Sequence, residues 1–148
     1  MEIDKAILHY CKYQERCHTE VRNKLYELGC STNEVGQQIS ELINAGVLNE
    51  ERFAVAYARG KFRMKQWGKV KIKQQLKFRG ISEYCIKKAM NEIDPDEYDM
   101  TLKKLAAKKT NELRNEKNVF SRKAKLYRFL MQKGFEKDLI IDLINQGI

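Results

Sequence analysis

Residues 72–82 read Ile72-Lys73-Gln74-Gln75-Leu76-Lys77-Phe78-Arg79-Gly80-Ile81-Ser82. Ile72 and Leu76 are four residues apart, which places them on one face of a helix. Gly80 follows as a residue that can take the left-handed backbone of a helix end, and Ser82 can cap the start of the next helix. The stretch therefore predicts a helix, a glycine turn and a second helix.

The same pattern occurs three times along the chain. Gly29, Gly80 and Gly134 are separated by 51 and 54 residues, and each is flanked by apolar residues four and eight positions before it and six and ten positions after it. The twelve apolar residues at these offsets are Val21, Leu25, Val35, Ile39, Ile72, Leu76, Ile86, Met90, Leu126, Leu130, Ile140 and Ile144. Such agreement predicts an internal repeat whose apolar positions form the core.

Each repeat reads as helix, helix, glycine turn and helix. The boundaries fall at residues 1–48, 49–93 and 94–148, with the most basic repeat in the centre. A unit of about 50 residues is marginally stable alone, so neighbouring repeats are expected to complete each other's cores. The fold class is thus all-α: three tandem three-helix repeats in an elongated helical array, straight or curved.

Start signals and apolar stripes define the individual helices. We expect N-caps at Thr19, Ser31, Asn49, Ser82 and Asp94, several of them with an acidic residue in the first turn. The apolar stripes are expected to include Ile43 in the third helix, Phe53, Ala56, Tyr57, Gly60 and Met64 in the fourth, and Leu139 in the last, with a close helix contact at Gly60. Lys69–Lys73 alternates like a strand, but it has no second strand-like run to pair with, so helix is predicted there.

Composition excludes several functional classes. The 148 residues are 43% hydrophobic and 33% charged, and no run approaches the length of a transmembrane helix. The acidic start lacks the pattern of a secretory signal, so a cytoplasmic protein is expected. His9, Cys11, Cys17 and His18 lack zinc spacing, and there is no phosphate-binding glycine loop. We therefore expect free thiols, no metal, no cofactor and no enzymatic activity.

Positive charge is concentrated in the centre of the chain. The segment 52–88 contains twelve Lys and Arg but a single acid, Glu83, whereas the net charge of the whole chain is +9. A solvated helix face would carry interleaved acids, so the imbalance favours binding to phosphates or to an acidic protein surface. The helix after Gly80 starts without Arg, Asn or Gln to read base edges, which favours contact independent of DNA sequence. Trp67 is assigned to hinge packing ahead of base stacking.

Five candidate binding residues of the central repeat are expected to be exposed along one continuous face: Arg59, Arg63, Lys69, Lys73 and Lys77. The full set of candidates includes a second group in the third repeat. The candidates are Arg59, Lys61, Arg63, Lys65, Trp67, Lys69, Lys71, Lys73, Lys77, Arg79, Arg122, Lys125 and Arg128.

Nearly the whole chain resembles the RecX family of RecA regulators. The second-repeat motif is carried by Leu48-Asn49-Glu50-Glu51-Arg52-Phe53-Ala54 with Gly68, Ile72, Leu76 and Gly80-Ile81. The first-repeat motif is Glu15-Arg16-Cys17-His18-Thr19-Glu20-Val21 with Lys24-Leu25, in which Cys17 replaces a more usual Ser. A weaker third match ends at Arg128-Phe129-Leu130 and Lys133-Gly134-Phe135.

The resemblance implies three three-helix repeats, no catalysis, and binding to the RecA–DNA filament. In this family such binding modulates, and usually inhibits, the recombinase, ATPase and co-protease activities of RecA in DNA repair, recombination and the SOS response. The expected partners are the RecA filament and single- and double-stranded DNA contacted through phosphates, with no membrane and with the chain a monomer. The alternatives are a nonspecific helical DNA-binding module independent of RecA, and a helical scaffold.

Overall fold

The structure is a computed structural model that describes residues 3–147. Within that range the chain forms nine α-helices and no strand, which confirms the all-α fold class and the helical assignment of residues 69–73. In chain order the helices are α1 (Lys5–Tyr13), α2 (His18–Glu27), α3 (Thr32–Asn44), α4 (Glu50–Lys65), α5 (Lys69–Phe78), α6 (Glu83–Asn91), α7 (Pro95–Glu112), α8 (Val119–Lys133) and α9 (Lys137–Asn145).

The repeat predicted from the glycines is present. Gly29, Gly80 and Gly134 follow α2, α5 and α8 with φ angles of 92°, 77° and 94°, the left-handed conformation that glycine adopts without a Cβ penalty. All twelve apolar positions of the repeat are buried, including a leucine four residues before each glycine that is fully inaccessible. The register of the three repeats is therefore confirmed.

Most of the predicted helix starts are confirmed. Ser31 and Glu34 form a capping box at α3, the Asn49 carboxamide accepts from the Arg52 N–H at 2.9 Å, and Asp94 caps α7 with Pro95 as its first residue. The Ser82 hydroxyl accepts from the Cys85 N–H at 3.3 Å. These contacts satisfy N–H groups that have no partner within their helices.

The prediction that Thr19 caps α2 is wrong. The N-cap is Cys17, whose backbone N–H and thiol both donate to the Glu20 carboxylate, at 3.3 and 3.1 Å. Burial raises the pKa of the Cys17 thiol to about 11, so the thiol stays protonated and can donate at neutral pH. The Thr19 hydroxyl does not cap α2 and instead donates to the Arg79 carbonyl at 3.2 Å.

The predicted apolar stripe of α4 is also wrong in part. The buried residues are Phe53, Ala54, Ala58 and Phe62, whereas Ala56 and Met64 are exposed. Because Ala54, Ala58 and Phe62 recur every four residues, the buried face lies to one side of the expected row. A Cβ built on Gly60 would meet nothing within 4 Å, so the expected close contact is absent there.

The other departures lie at the margins of apolar stripes. Ile43 of α3 and Leu139 of α9 were predicted on buried faces but are exposed by 44% and 37%.

The helices divide into two compact units. One comprises the chain up to Tyr57 together with Leu76–Ala89, and the other comprises Ala58–Gln75 together with the chain from Met90. α4 and α5 each contribute residues to both units. The three-repeat boundaries at residues 48 and 93 stay a prediction.

In the second unit, the start of α5 is joined to the end of α8 through the backbone. The Gly68 N–H donates to the Lys133 carbonyl at 2.7 Å, and the Gly134 carbonyl accepts from Val70 at 2.9 Å and Lys71 at 3.4 Å. A helix N-terminus with unpaired N–H groups thus meets a helix C-terminus with unpaired carbonyls, and the helix dipoles are complementary. This junction holds the start of α5, which carries Lys69, Lys71 and Lys73, against the end of α8.

Candidate nucleic-acid interface

The candidate cations of the central repeat fall into two groups by exposure. Arg59, Arg63, Lys65, Lys73 and Lys77 are exposed. Lys61, Lys69, Lys71 and Arg79 are half-buried, as is Trp67. Arg59, Arg63, Lys73 and Lys77 are thus exposed as expected, whereas Lys69 was expected to be exposed and is half-buried.

Trp67 lies in the link between α4 and α5. The chain enters the link through Gln66, which has a left-handed φ of 57°, and the Trp67 N–H donates to the Lys61 carbonyl at 3.2 Å. The ammonium groups of Lys61 and Lys71 lie 5.0 and 4.6 Å from the indole ring centroid, within the range of a cation–π contact. The indole thus contacts two candidate cations, and the assignment of Trp67 to hinge packing ahead of base stacking stays a prediction.

Lys69 is held by a buried tyrosine. The Lys69 N–H donates to the Tyr98 hydroxyl oxygen at 2.9 Å, and its ammonium lies 4.9 Å from the Tyr98 ring centroid. The Tyr98 hydroxyl in turn donates to the Glu136 carboxylate. Burial and then the Glu136 hydrogen bond raise the pKa of Tyr98, so the phenol stays protonated and keeps this link intact. Lys69 therefore contributes to the packing of its unit.

Other lysines contact carbonyl groups at helix ends. The Lys71 ammonium donates to the Gln132 carbonyl at 3.4 Å near the end of α8, and the Lys133 ammonium donates to the Lys65 carbonyl at 3.1 Å at the end of α4. Cations at these positions complement the negative end of the helix dipole. The two contacts account for part of the positive charge without any external partner.

In the first unit, one candidate cation forms an ion pair and another lies against an aromatic ring. Lys77 pairs with Glu83, the single acid of the segment 52–88, at 3.4 Å, and the Arg79 guanidinium lies 4.8 Å from the Tyr57 ring centroid. Both members of the Lys77–Glu83 pair are well exposed, so the pair contributes little to stability.

The third-repeat candidates are dispersed along α8. Lys125 pairs with Glu116 at 2.6 Å, Arg122 is half-buried and Arg128 is exposed. Lys125 lowers the pKa of the Glu116 carboxyl, which keeps that acid ionised beside the helix. Here acids partly balance the cations, in contrast to the second half of α4 and the start of α5.

Two exposed aromatic residues were missed by the sequence analysis. Phe78 at the end of α5 is 87% exposed, and Tyr84 in the first turn of α6 is 64% exposed. Phe78 lies off the row formed by Ile72 and Leu76, so helical periodicity does predict that it points away from the core. We name Phe78, Tyr84 and the lysines Lys77 and Lys88 the aromatic–cationic patch.

The described residues include no group of three or more side chains suited to holding a metal ion, and no helix long and apolar enough to cross a membrane. All four cysteines are free thiols. A helical-repeat protein with a cationic surface built on its central helices is a class suited to binding a polyanion or an acidic protein.

Comparison with known proteins identifies the family. Profiles described as the second and third three-helix domains of RecX match residues 49–90 and 96–144. The chain belongs to the RecX family.

Relatives and solved structures agree with this assignment. The chain is 33% identical over 128 residues to the Regulatory protein RecX of Clostridium perfringens (strain SM101 / Type A), covering 86% of this chain and 59% of that protein. It is 28% identical over 142 residues to the Regulatory protein RecX of Haemophilus influenzae (strain PittGG), covering 95% and 91%. The chain thus spans about three fifths of the clostridial relative and most of the other. The crystal structure of RecX from Lactobacillus salivarius superposes with a TM-score of 0.83 at 26% identity, covering 95% of this chain and 91% of that one.

Proposed function

We propose that this chain binds the RecA–DNA filament and inhibits the recombinase, ATPase and co-protease activities of RecA, without catalysis of its own. The relatives that it resembles are named regulatory proteins. The observation that carries the proposal is the excess of positive charge in the segment 52–88 of the central repeat, which contains twelve Lys and Arg and a single acid. A protein filament assembled on DNA presents phosphates and acidic protein surfaces, and the positive electrostatic field of this segment attracts both.

Arg59, Arg63 and Lys73 are the residues best suited to the contact. All three are exposed, and Arg59 and Arg63 are one turn apart on α4. Lys69, Lys71 and Lys77 are less suitable probes, because each has a contact within its own unit that a substitution would also remove.

The test is a titration of this chain into RecA hydrolysing ATP on single-stranded DNA. We expect inhibition at concentrations well below those needed to coat the DNA. Inhibition only at coating concentrations favours the alternative function, a DNA-binding module independent of RecA. The same cationic surface supports that alternative, since phosphate binding needs no protein partner.

A charge-reversal variant tests the surface itself. Arg59→Glu/Arg63→Glu/Lys73→Glu should retain the helical circular dichroism spectrum, since surface changes usually alter stability by about 0.5 kcal/mol or less each. It should lose most inhibition of RecA. On single-stranded DNA alone, loss of three phosphate contacts should reduce the slope of log affinity against log salt concentration by about 2.

The matched control is Lys5→Glu/Lys12→Glu/Lys104→Glu, which makes the same change in net charge at exposed positions of α1 and α7. It should inhibit RecA almost as the native chain does. Normal inhibition by the α4–α5 variant would exclude the central surface and move the contact to the third repeat, around Arg122, Lys123, Lys125 and Arg128.

A further inference from the structure

We propose that the aromatic–cationic patch is a base-stacking site for single-stranded DNA, with Phe78 and Tyr84 as the platforms. The inference deepens the proposed function and rests on it for the presence of DNA at this surface. Stacking on the faces of unpaired bases would add to the phosphate contacts an interaction that only single-stranded DNA can make.

Both rings of the patch are largely exposed to solvent. Phe78 and Tyr84 expose 87% and 64% of their surface, although aromatic residues usually bury their large apolar area in a core or an interface. They flank the four-residue link 79–82 that joins α5 to α6, and both belong to the same compact unit. The Lys77–Glu83 ion pair, at 3.4 Å, connects the residue before Phe78 to the residue before Tyr84. The rings therefore lie on either side of a turn within one unit, and the hydrogen bond from the Ile81 N–H to the Leu76 carbonyl, at 3.1 Å, closes that turn.

Comparison of the three repeats shows that the fold does not need aromatic residues at the positions of Phe78 and Tyr84. Counting from the repeat glycines, Glu27 and Gln132 occupy the position of Phe78 in the other two repeats. Asn33 and Asp138 occupy the position of Tyr84. The same helical unit thus forms with polar residues at these two positions, and only the central, basic repeat has aromatic residues at both of them.

The charge around the rings selects the kind of partner. The Lys88 ammonium lies 5.5 Å from the Tyr84 ring centroid, Lys77 precedes Phe78, and Lys87 is also exposed on α6. Glu83 is the single acid in the segment 52–88 and is already paired with Lys77. Aromatic platforms beside cations that track a phosphate backbone are the recurring design of sequence-independent single-strand binding. An apolar protein surface would have no comparable need for the surrounding lysines.

Binding to a fluorescein-labelled oligothymidine tests the proposal directly, by anisotropy at fixed ionic strength with the full chain. Phe78→Ala/Tyr84→Ala should weaken binding by about 10-fold or more, because stacking on one aromatic ring accounts for roughly 5- to 150-fold in affinity. Phe78→Tyr/Tyr84→Phe, which keeps two flat rings, should bind as the native chain does. Tyr13→Ala removes a ring that is 76% exposed on α1 and should leave affinity unchanged.

An abasic oligonucleotide of the same length separates stacking from phosphate contact. The native chain and the double alanine variant should bind it equally, because it presents phosphates without bases. As a second readout, an oligonucleotide containing 5-iodouracil should form photo-crosslinks to peptides that contain Phe78 or Tyr84.

The inference is overturned if the double alanine variant binds oligothymidine with native affinity, or if it loses affinity equally for both oligonucleotides. Loss of RecA inhibition with oligothymidine binding intact would also overturn it and would assign the patch to a protein contact. If the native chain fails to inhibit RecA but the variants behave as expected on oligothymidine, the proposed function fails while the stacking site stands.

Discussion

Replacing Gly68 by alanine should disrupt the junction between α5 and α8. A Cβ at residue 68 would lie far inside van der Waals contact of the Gly134 carbonyl group and the Phe135 nitrogen. These are backbone atoms, so no side chain can rotate away to make room. The same region, residues 68–71, carries the hydrogen bonds from Gly68, Val70 and Lys71 to the end of α8.

The expected cost follows from those contacts. Inserting an extra methyl group into a packed site typically costs 1–3 kcal/mol. Separating the two helix ends weakens up to three backbone hydrogen bonds, each contributing about 0.5–1.5 kcal/mol net. Gly68→Ala should therefore lower the free energy of unfolding by about 3–5 kcal/mol, a large share of the stability of a domain of this size.

Urea denaturation measures this change with two probes. Circular dichroism at 222 nm follows the whole chain, and the fluorescence of Trp67, the only tryptophan, follows the residue next to the junction. The control is Gly60→Ala, because residue 60 lies within α4 with no atom near the new methyl group. It should stabilise the chain by about 0.5–1 kcal/mol, the usual gain of alanine over glycine in a helix. If the Gly68→Ala variant unfolds within about 0.5 kcal/mol of the native chain, the close backbone junction does not exist.

Three further predictions concern the repeat and its caps. Leu25→Ala, Leu76→Ala and Leu130→Ala should each cost about 2–5 kcal/mol in urea denaturation, since all three residues are fully buried at equivalent positions; a cost below 1 kcal/mol at any one would contradict the shared register. Gly80→Ala should cost about 1 kcal/mol or more by thermal denaturation, because residue 80 has a φ of 77°, and an unchanged midpoint would contradict a left-handed turn. Cys17→Ser should remove part of the pH dependence of stability between pH 9 and 11. Burial raises the pKa of Cys17 above its value in the unfolded chain, so the native chain loses stability as pH rises through that window. The serine variant has no thiol to ionise. Equal slopes of unfolding free energy against pH for the two chains would show that Cys17 ionises as freely as in the unfolded chain.

The sequence predicted the repeat well because each repeat carries the same local signals. An apolar residue four positions before a helix-ending glycine is a short-range pattern, and its threefold recurrence excludes chance. The positions of Leu25, Leu76 and Leu130 could therefore be assigned as core without knowledge of their contacts. Capping by Ser31, Asn49 and Asp94 was predictable for the same reason, since a cap bonds within one helical turn.

Features that depend on unusual residues or long-range contacts were not predictable in the same way. Cys17 is outside the usual set of capping residues, so Thr19 was chosen in its place. Gly60 interrupts the α4 pattern and was expected to make a close contact, but the close approach occurs at Gly68 and Gly134, which no local pattern connects. The stripe of α4 was misplaced because alanines at residues 54, 56 and 58 carry too little hydrophobic signal to distinguish the buried face.

For the candidate site, the location of the positive charge could be predicted from the sequence, but the contacts of the individual lysines could not. Counting lysines cannot reveal that Lys69 rests on Tyr98 or that Lys71 reaches a carbonyl of α8. These interactions depend on residues far along the chain. The proposed contact with the filament therefore rests on Arg59, Arg63 and Lys73, which are exposed and make none of these contacts.

Co-sedimentation is the most direct test of the proposed binding of this chain to RecA on DNA. RecA filaments assembled on single-stranded DNA with a non-hydrolysable ATP analogue are pelleted with this chain, beside an equal amount of the same DNA without RecA at the same salt concentration. We expect the native chain to pellet with the filaments at concentrations where DNA alone retains little of it, and Arg59→Glu/Arg63→Glu/Lys73→Glu to stay in the supernatant. Equal recovery of the native chain on filaments and on DNA alone would show that it binds DNA without recognising RecA.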